Sequence, residues 1–499
     1  MARELARAGK RVVVLESGPA WDSKDLLSSQ IWSRRLRAGI AQYRTAGEDP
    51  VGIGFNVGRG LGGAGIHHYG GWFRMHAGDF DVKSRYGQQL DWPLSYEDLR
   101  PYYDRMQADV GMSGDAKAEV WRPPGKPYPL PPLPLQRHGR ILRRGFDALG
   151  LRTAPAPQAI LSRPYKGRPA CTLEGWCDAG CSSGALAHPL VTFIPQAKRA
   201  GARFVTGAHV TKVLSRGGRA TGVQYVDARG RRETVKAKLV ILAAFTLETP
   251  RLLLASADGG LANSSGLVGK YIHVHVLLTT FGLFKERTEP GRGPVGAQLL
   301  CQDDYDPAPA AGGYFGGYQW LAGTAKKPND LAGLAGARME LHGKELHSFM
   351  RDAARHLGAM DCIGTGTVRK ENALRLLDER DEHGVPICEI THTHDDDARR
   401  LYDAAAAQGE EIMRAAGARE VWSGSRVTAH IMGGTIMGAD PRESVVDEYG
   451  RTHDVENLVV SSPGAFPTGA GVNPTFTQVA WTLRSAERLV RRWRDYAGR

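Results

Sequence analysis

Apolar residues in this chain cluster in short runs bounded by turn residues, a pattern typical of buried β-strands. The first run, Lys10–Glu16, is closed by an acid and follows an alanine-rich stretch, residues 2–9, that predicts the end of a helix. Later runs predict three more strands and two helices: Ala202–Thr206, Ala220–Val226 and Lys238–Ala244, then Glu248–Ser256 and Asp396–Ala416. Strands mixed with helices in this order predict an α/β fold.

The order of these elements also predicts interleaved domains. Segments 1–75, 190–270 and 428–499 are assigned to one α/β domain, whereas 76–189 is rich in Pro, Trp and Tyr and predicts a cap or lid. The segment 271–427 predicts an α+β domain built on an antiparallel or mixed sheet. With 499 residues and 42% hydrophobic content, the chain is long enough to bury such cores.

Charge and hydropathy narrow the classes of partner. The net charge is +12, but basic residues are spread along the chain rather than gathered with aromatics, so no nucleic-acid role is expected. Arginines concentrate over Arg484–Arg499, which predicts either a solvated helix face or a docking surface for an acidic redox partner. No run approaches a membrane span, so no transmembrane segment is expected. Localisation stays open: cytoplasmic as the chain stands, periplasmic or exported if a signal precedes Met1.

Two polar side chains near the carboxyl end stand in informative motifs. His430 opens His-Ile-Met-Gly-Gly, and Asn473 lies in Gly-Val-Asn-Pro. A neutral imidazole is well matched to taking a proton from an alcohol near neutral pH, and an amide can hydrogen-bond the resulting oxygen without becoming charged. The pair therefore predicts a catalytic site for alcohol oxidation.

These blocks, together with Asn457–Val460 and Phe466–Thr468, resemble the carboxy-terminal signature of the glucose-methanol-choline (GMC) family of FAD-dependent oxidoreductases. The resemblance covers nearly the whole chain. It implies a Rossmann-like FAD-binding domain interleaved with a substrate-binding domain. It also implies oxidation of a primary or secondary alcohol by His430 and Asn473, with hydride transfer to flavin N5.

The resemblance implies a set of FAD contacts. Glu16, the acid that closes the first strand, is the expected ribose ligand. The Gly-Arg-Gly-Leu-Gly-Gly segment that starts at Gly58 matches a second flavin-binding element of the family, followed by His67 and His68 at the flavin wall. Covalent attachment at His67 and simple packing are both open. The full expected set is Glu16, Arg59, Gly62, Gly63, His67, His68, Val210, Ala244, Gly464, Ala465, Asn473, Pro474 and Thr475.

The glycine-rich turn of a dinucleotide fold is expected about 20 residues before the ribose acid, which from Glu16 falls before Met1. The first strand and its phosphate loop are therefore expected to be absent from this chain as given. The literal Gly-x-Gly-x-x-Gly match at Gly58, Gly60 and Gly63 follows no strand of a βαβ unit, so it is not assigned to the diphosphate. A truncated, inactive chain that cannot hold FAD and a flavin-containing hydroxynitrile-type lyase are the alternative interpretations.

Cys171, Cys177 and Cys181 form a closely spaced trio. The trio resembles the iron-sulfur site of some bacterial FAD-dependent glucose and fructose dehydrogenases, which implies an iron-sulfur cluster as a second cofactor. Buried thiols, one disulfide, and a zinc site completed by His188 are the alternatives.

The substrate and electron acceptor follow from the resemblance alone. It is nearest to bacterial sugar and polyol dehydrogenases or pyranose oxidases, which implies a sugar, glycoside or polyol hydroxyl. It also implies transfer of electrons to a quinone, a cytochrome or oxygen. The sequence does not set the oligomeric state.

Overall fold

The computed structural model describes residues 1–37, 41–306, 308, 313–335 and 338–498. Helices α1 to α13 are Ala2–Arg7, Gln30–Leu36, Ile53–Asn56, Val82–Tyr86, Tyr96–Val110, Arg137–Ala148, Phe193–Arg199, Glu248–Ser256, Pro328–Ala335, Gly343–His356, Asp396–Ala415, Thr475–Arg491 and Trp493–Ala497. Strands β1 to β17 are Val13–Glu16, Tyr43–Ala46, Ala154–Pro155, Arg203–Thr206, His209–Arg216, Arg219–Val226, Arg232–Lys236, Val240–Leu242, His273–Phe284, Leu299–Cys301, Tyr318–Ala322, Leu357–Gly364, Ala373–Arg380, Pro386–Thr391, Ala418–Ser423, Val427–Met432 and Leu458–Val460.

Two short parallel pairs lie in the part of the fold that is predicted to bind the nucleotide. β1 pairs with β4, and β8 pairs with β17, each as a separate two-stranded sheet. Residues of β1 and β8 line the same cavity. Within the described residues no strand pairs with the second edge of either β1 or β8. The antiparallel sheet β5-β6-β7 lies beside them and contributes Val210 and Val223 to the cavity wall.

The predicted substrate-binding half is built on a seven-stranded sheet whose strand order is β15-β9-β12-β11-β10-β3, with β16 also paired to β9. Every pairing in this sheet is antiparallel. Alternate residues of a strand point to opposite faces. One face turns Leu277, Leu321 and Ile363 toward the cavity, while the other packs Val276 and Trp320 against α11.

Helix α12 holds the Gly-Val-Asn-Pro motif in place. It begins at Thr475, two residues after Asn473, and packs along α5. Its buried face includes Phe476 and Trp481, both fully shielded from solvent. Burying two aromatic rings contributes several kcal/mol to docking this helix, at about 25 cal/mol per Å² of apolar surface. The start of α12, and with it Asn473, is thereby fixed against the core.

The elements predicted from the apolar runs lie where the sequence places them, with small changes at their ends. The helix Glu248–Ser256 has the predicted bounds. The first strand starts at Val13 rather than Lys10, because the Lys10 amide donates to the Leu5 carbonyl and still belongs to the end of α1. Across the described ranges, each helix is too short or too polar to cross a membrane.

Arg251 joins α8 to the β13–β14 hairpin. Its side chain is 1% exposed. The guanidinium donates to Asp381 at 2.7 Å, to Glu248 at 3.0 Å, and to the carbonyls of Val385 and Pro386 at 3.2 and 2.7 Å. A buried charge paired in this way is costly to break, because removing one partner leaves the other charges without compensation.

We expect Arg251→Ala to lower the free energy of unfolding by about 3–5 kcal/mol, since it leaves the partly buried carboxylates of Glu248 and Asp381 unpaired. Urea unfolding followed by tryptophan fluorescence measures this change. Arg375→Ala is the matched control, because it breaks an exposed ion pair with Glu389 on the same hairpin and should cost at most about 1 kcal/mol. Equal losses for the two variants would contradict a special role for Arg251.

Candidate active site

A single large cavity joins the two halves of the fold. Its volume is about 2190 Å³, well above the roughly 300–1,000 Å³ of an ordinary small-ligand pocket. Its wall includes the carboxyl ends of β1 and β8, the glycine-rich turn 58–65, and the sheet face that carries Leu277 and Ile363. His430 and Asn473 lie on the same wall. The cavity therefore has room for a cofactor and a substrate together.

A β-bulge sets the position of His430. Ala429 pairs with His275 and Met432 with His273, so two residues of β16, His430 and Ile431, lie opposite one residue of β9. A bulge bends a strand and redirects the side chain at the extra position. His430 has a φ of +58°, an uncommon conformation for a residue with a side chain. Its amide donates to the Asn56 side-chain oxygen at 2.9 Å, which helps to hold this conformation.

The structure brings the two predicted catalytic residues together. Asn473 Nδ2 lies 3.2 Å from His430 Nε2. Asn473 Oδ1 accepts a hydrogen bond from Gln319 Nε2 at 3.3 Å, which leaves the amide nitrogen directed at the imidazole. A substrate hydroxyl that replaces this contact could donate to His430 Nε2 and accept from Asn473 Nδ2 at the same time.

His430 is neutral at physiological pH. Burial lowers the pKa of its imidazole well below the ordinary value of 6.5, and the neighbouring His275 lowers it further. Burial likewise lowers the pKa of His275 to about 4. A neutral imidazole has a free lone pair, which a proton acceptor requires.

Most residues predicted to hold the cofactor line this cavity, although their contacts with a cofactor stay a prediction. Gly464 and Ala465 do not line it; they lie in a buried 3₁₀ turn, Pro463–Ala465, whose neighbours Ser461 and Ser462 reach the wall. The residues on the wall are Glu16, Arg59, Gly62, Gly63, His67, His68, Val210, Ala244, Asn473, Pro474 and Thr475.

Glu16 connects the first strand to the glycine-rich turn. Its Oε1 accepts from the Gly18 amide at 2.7 Å and from the Gly60 amide at 3.1 Å. Gly60 has a φ of +126°, and a Cβ there would lie 2.1 Å from Trp21 Nε1, so only glycine fits. Gly62 also has a positive φ and opens a 3₁₀ turn. The turn thus exposes backbone to the cavity at close range.

His67 is buried in this wall, and His68 beside it is partly buried. Burial lowers the pKa of each imidazole to about 4, so both are neutral. His67 Nε2 donates to the Val57 carbonyl at 3.0 Å, and His68 Nδ1 accepts from the Gly70 amide at 3.2 Å. Their position fits the expected flavin wall, and covalent attachment at His67 stays a prediction.

The three cysteines share an apolar cluster with Leu161 and Leu186. Burial raises the pKa of Cys171 to about 11, which keeps that thiol protonated. In the described ranges no group of three or more His, Cys, Asp or Glu side chains is arranged to hold a metal ion. The structure therefore gives no support to the expected iron-sulfur cluster at Cys171, Cys177 and Cys181, or to a zinc site with His188.

Three polar residues of the site were not predicted from the sequence. His275 contacts His430, Gln319 contacts Asn473, and Asn56 holds the His430 backbone. The first two lie on strands of the sheet, in sequence contexts without a motif. The alternation His273-Val-His275 within a strongly apolar run was the one signal available, since it places two imidazoles on the same sheet face.

Comparison with known proteins identifies the family. Two family models, both described as GMC oxidoreductase, match residues 51–277 and 368–482. The chain belongs to the GMC oxidoreductase family. It is therefore an enzyme that oxidises CH–OH donors, and the predicted α/β fold with its Rossmann-like domain is confirmed.

The relatives cover almost the whole chain. The 2-methyl-1,2-propanediol dehydrogenase of Mycolicibacterium austroafricanum is 31% identical over 99% of this chain and 93% of its own length. The fructose dehydrogenase large subunit of Gluconobacter japonicus is 29% identical over 98% and 95%. Among solved structures, Aspergillus oryzae formate oxidase matches with a TM-score of 0.68 and 14% identity, covering 99% of this chain and 96% of its own. The last likeness concerns the fold alone.

Proposed function

We propose that this GMC oxidoreductase uses FAD to oxidise a hydroxyl group of a sugar, glycoside or polyol. The observation that carries the proposal is the 3.2 Å approach of Asn473 Nδ2 to His430 Nε2 at the wall of the large cavity. A proton acceptor and an amide donor directed at one point suit an alcohol oxygen, which must lose a proton and gain negative charge.

The residues of the cavity fit FAD. Glu16 offers a carboxylate to the ribose hydroxyls at the end of β1, as in other dinucleotide folds. The turn 58–65 brings backbone close to the cavity, and His67 and His68 give it a neutral wall. Bound FAD supplies a two-electron acceptor for the hydride that leaves the substrate carbon.

In the proposed mechanism, His430 Nε2 takes the proton of the substrate hydroxyl while the adjacent C–H loses its hydride. Asn473 Nδ2 donates to the same oxygen and stabilises its alkoxide character as the proton leaves. Burial keeps His430 neutral before the reaction. The product is an aldehyde or a ketone.

The part of the cavity wall that the seven-stranded sheet forms suits a substrate that has both apolar carbon atoms and hydroxyl groups. Leu277 and Ile363 offer apolar contact, whereas Asp361 lies on the same wall and accepts from Thr279 at 2.6 Å. The diol and sugar dehydrogenases among the relatives favour the same substrate class. Because these relatives are dehydrogenases, we propose a quinone or cytochrome as electron acceptor in preference to oxygen.

A specific observation favours one competing outcome. The second edges of β1 and β8 have no strand partner among the described residues, and both line the cavity. Unpaired strand edges weaken the expected contacts with the adenosine end of FAD. The competing function is that of a chain that folds but retains little FAD, and the FAD content of the purified protein decides between the two.

We expect His430→Ala to slow anaerobic bleaching of bound flavin by a polyol about 10²–10⁴-fold, because the proton acceptor is lost. Asn473→Ala should slow it about 10²–10³-fold by removing the donor to the oxygen. Stopped-flow absorbance measures both rates, and both variants should bind FAD like the parent. Full activity in both variants would overturn the proposal, and conversion of a hydroxynitrile with the flavin still oxidised would indicate a lyase.

The pH profile follows from the lowered pKa of His430. A base whose conjugate acid has a lowered pKa keeps its lone pair as the pH falls. The rate of flavin reduction should therefore stay level from about pH 8 down to pH 6.5, the ordinary histidine value, and decline only at lower pH. A decline centred at or above pH 6.5 would show that burial does not control this imidazole.

We expect Glu16→Ala to weaken FAD binding about 10- to 100-fold, since a hydrogen bond to a charged group contributes about 1.5–3 kcal/mol. Titration followed by flavin fluorescence gives the dissociation constant. Glu411→Ala, an exposed acid on α11, serves as the control and should leave affinity unchanged. Unchanged affinity in Glu16→Ala would remove Glu16 from the cofactor site.

A further inference from the structure

A second imidazole, that of His275, is hydrogen-bonded to His430. His275 lies on β9, opposite the residue that precedes the bulge, and is fully buried. Its Nδ1 lies 2.9 Å from His430 Nδ1. Its Nε2 lies 2.9 Å from the carbonyl oxygen of Gly469. Both ring nitrogens of His275 thus have a defined partner.

These contacts fix where the hydrogens lie. A carbonyl oxygen only accepts, so His275 Nε2 carries a hydrogen and donates it to Gly469. A neutral imidazole has one N–H, which leaves His275 Nδ1 as an acceptor for the Nδ1–H of His430. The Nε2 of His430 is then the nitrogen that carries the lone pair, and in this structure it accepts from Asn473 Nδ2; a substrate hydroxyl would take that place. That nitrogen faces Asn473.

The amide of Asn473 is oriented from the other side. Gln319 Nε2 donates to Asn473 Oδ1 at 3.3 Å, while Gln319 Oε1 accepts from Gln302 Nε2 at 3.0 Å. Gln302 Oε1 in turn accepts from His76 Nε2 at 3.3 Å. Gln302 and Gln319 are both buried, so neither amide can turn over without leaving polar atoms unpaired. The donor side of Asn473 is therefore held toward His430.

We propose that His275 and Gln319 are positioning residues that select the base form of His430 and the donor orientation of Asn473. The proposal rests on the proposed function, in which those two groups act on the substrate hydroxyl. Every hydrogen bond in the series donates in the same direction. The series runs from His76 through Gln302, Gln319, Asn473, His430 and His275 to the Gly469 carbonyl.

The surroundings of His275 favour the neutral ring that this series requires. The neighbouring ionisable groups are His430 and His273, with His392 beyond His273. No carboxylate is hydrogen-bonded to His275 or His430 in the part of the chain that the structure describes. A protonated His275 would donate from both nitrogens, turn His430 Nδ1 into an acceptor, and move the His430 hydrogen to Nε2. The base would then be lost.

The test compares two replacements of His275 in the FAD-loaded full chain. His275→Leu removes the acceptor at Nδ1, whereas His275→Asn keeps a side-chain oxygen near that position. We expect the anaerobic rate of flavin reduction by a polyol to fall about 10- to 100-fold in His275→Leu, with FAD affinity and KM within about twofold of the parent. His275→Asn should recover most of the rate.

Two further variants complete the experiment. His273→Leu removes another buried imidazole from the same strand and should leave the rate within about threefold, because His273 bonds only the Tyr271 carbonyl. Gln319→Met keeps the approximate shape of the side chain but removes the donor to Asn473, and should slow reduction about tenfold.

The outcomes separate the two proposals. Equal rates for the Leu and Asn replacements of His275, or an equal loss in His273→Leu, would overturn the positioning role. An unchanged rate in Gln319→Met would overturn the part of the proposal in which Gln319 orients Asn473. If His430→Ala is fully active, the proposed function itself fails; if His430→Ala is inactive while His275→Leu matches the parent, only the positioning proposal fails.

Discussion

The candidate active site depends on one backbone constraint, the left-handed conformation of His430 in the β16 bulge. A residue with a side chain pays of order 1–3 kcal/mol to adopt a rare backbone region, so the surrounding structure must hold it there. Here β9 pairs with β16 on both sides of the bulge, and Asn56 accepts the hydrogen bond of the His430 amide. The conformation turns the imidazole toward Asn473 and the cavity.

The bulge also explains why so many polar groups are buried behind the site. Redirecting His430 places its Nδ1 against the sheet, where an unpaired ring nitrogen would be costly in a low-dielectric interior. His275 satisfies that nitrogen, and the Gly469 carbonyl satisfies His275 in turn. On the opposite side, Gln319 donates a hydrogen bond to the side-chain oxygen of Asn473, and Gln302 donates one to the side-chain oxygen of Gln319. The polar network therefore satisfies the buried polar atoms on both sides of the His430–Asn473 pair and holds the two proposed catalytic groups in one orientation.

The sequence was enough to predict the groups that carry a recognisable motif. His430 and Asn473 stand among glycines and a proline that mark their loops, and the structure places them together. Glu16 was predictable because an acid closes an apolar run. His275 and Gln319 were not, because each is one polar residue in a buried strand and its partner lies 154 or 155 positions away. Such pairs follow from sheet register, which local patterns do not determine. The cysteine trio is the reverse case: its close spacing resembled an iron-sulfur site, and the geometry of the described residues gives that prediction no support.

The predicted cofactor contacts and the proposed catalytic groups lie on different parts of the fold. The proposed catalytic groups are held by the seven-stranded sheet and α12, whose residues belong to two large buried clusters. The predicted nucleotide contacts lie on two parallel pairs of short strands, β1–β4 and β8–β17. Short edge strands open more easily than the centre of a large sheet. A change that loosens these pairs is therefore expected to lower cofactor affinity while leaving the geometry of His430 intact.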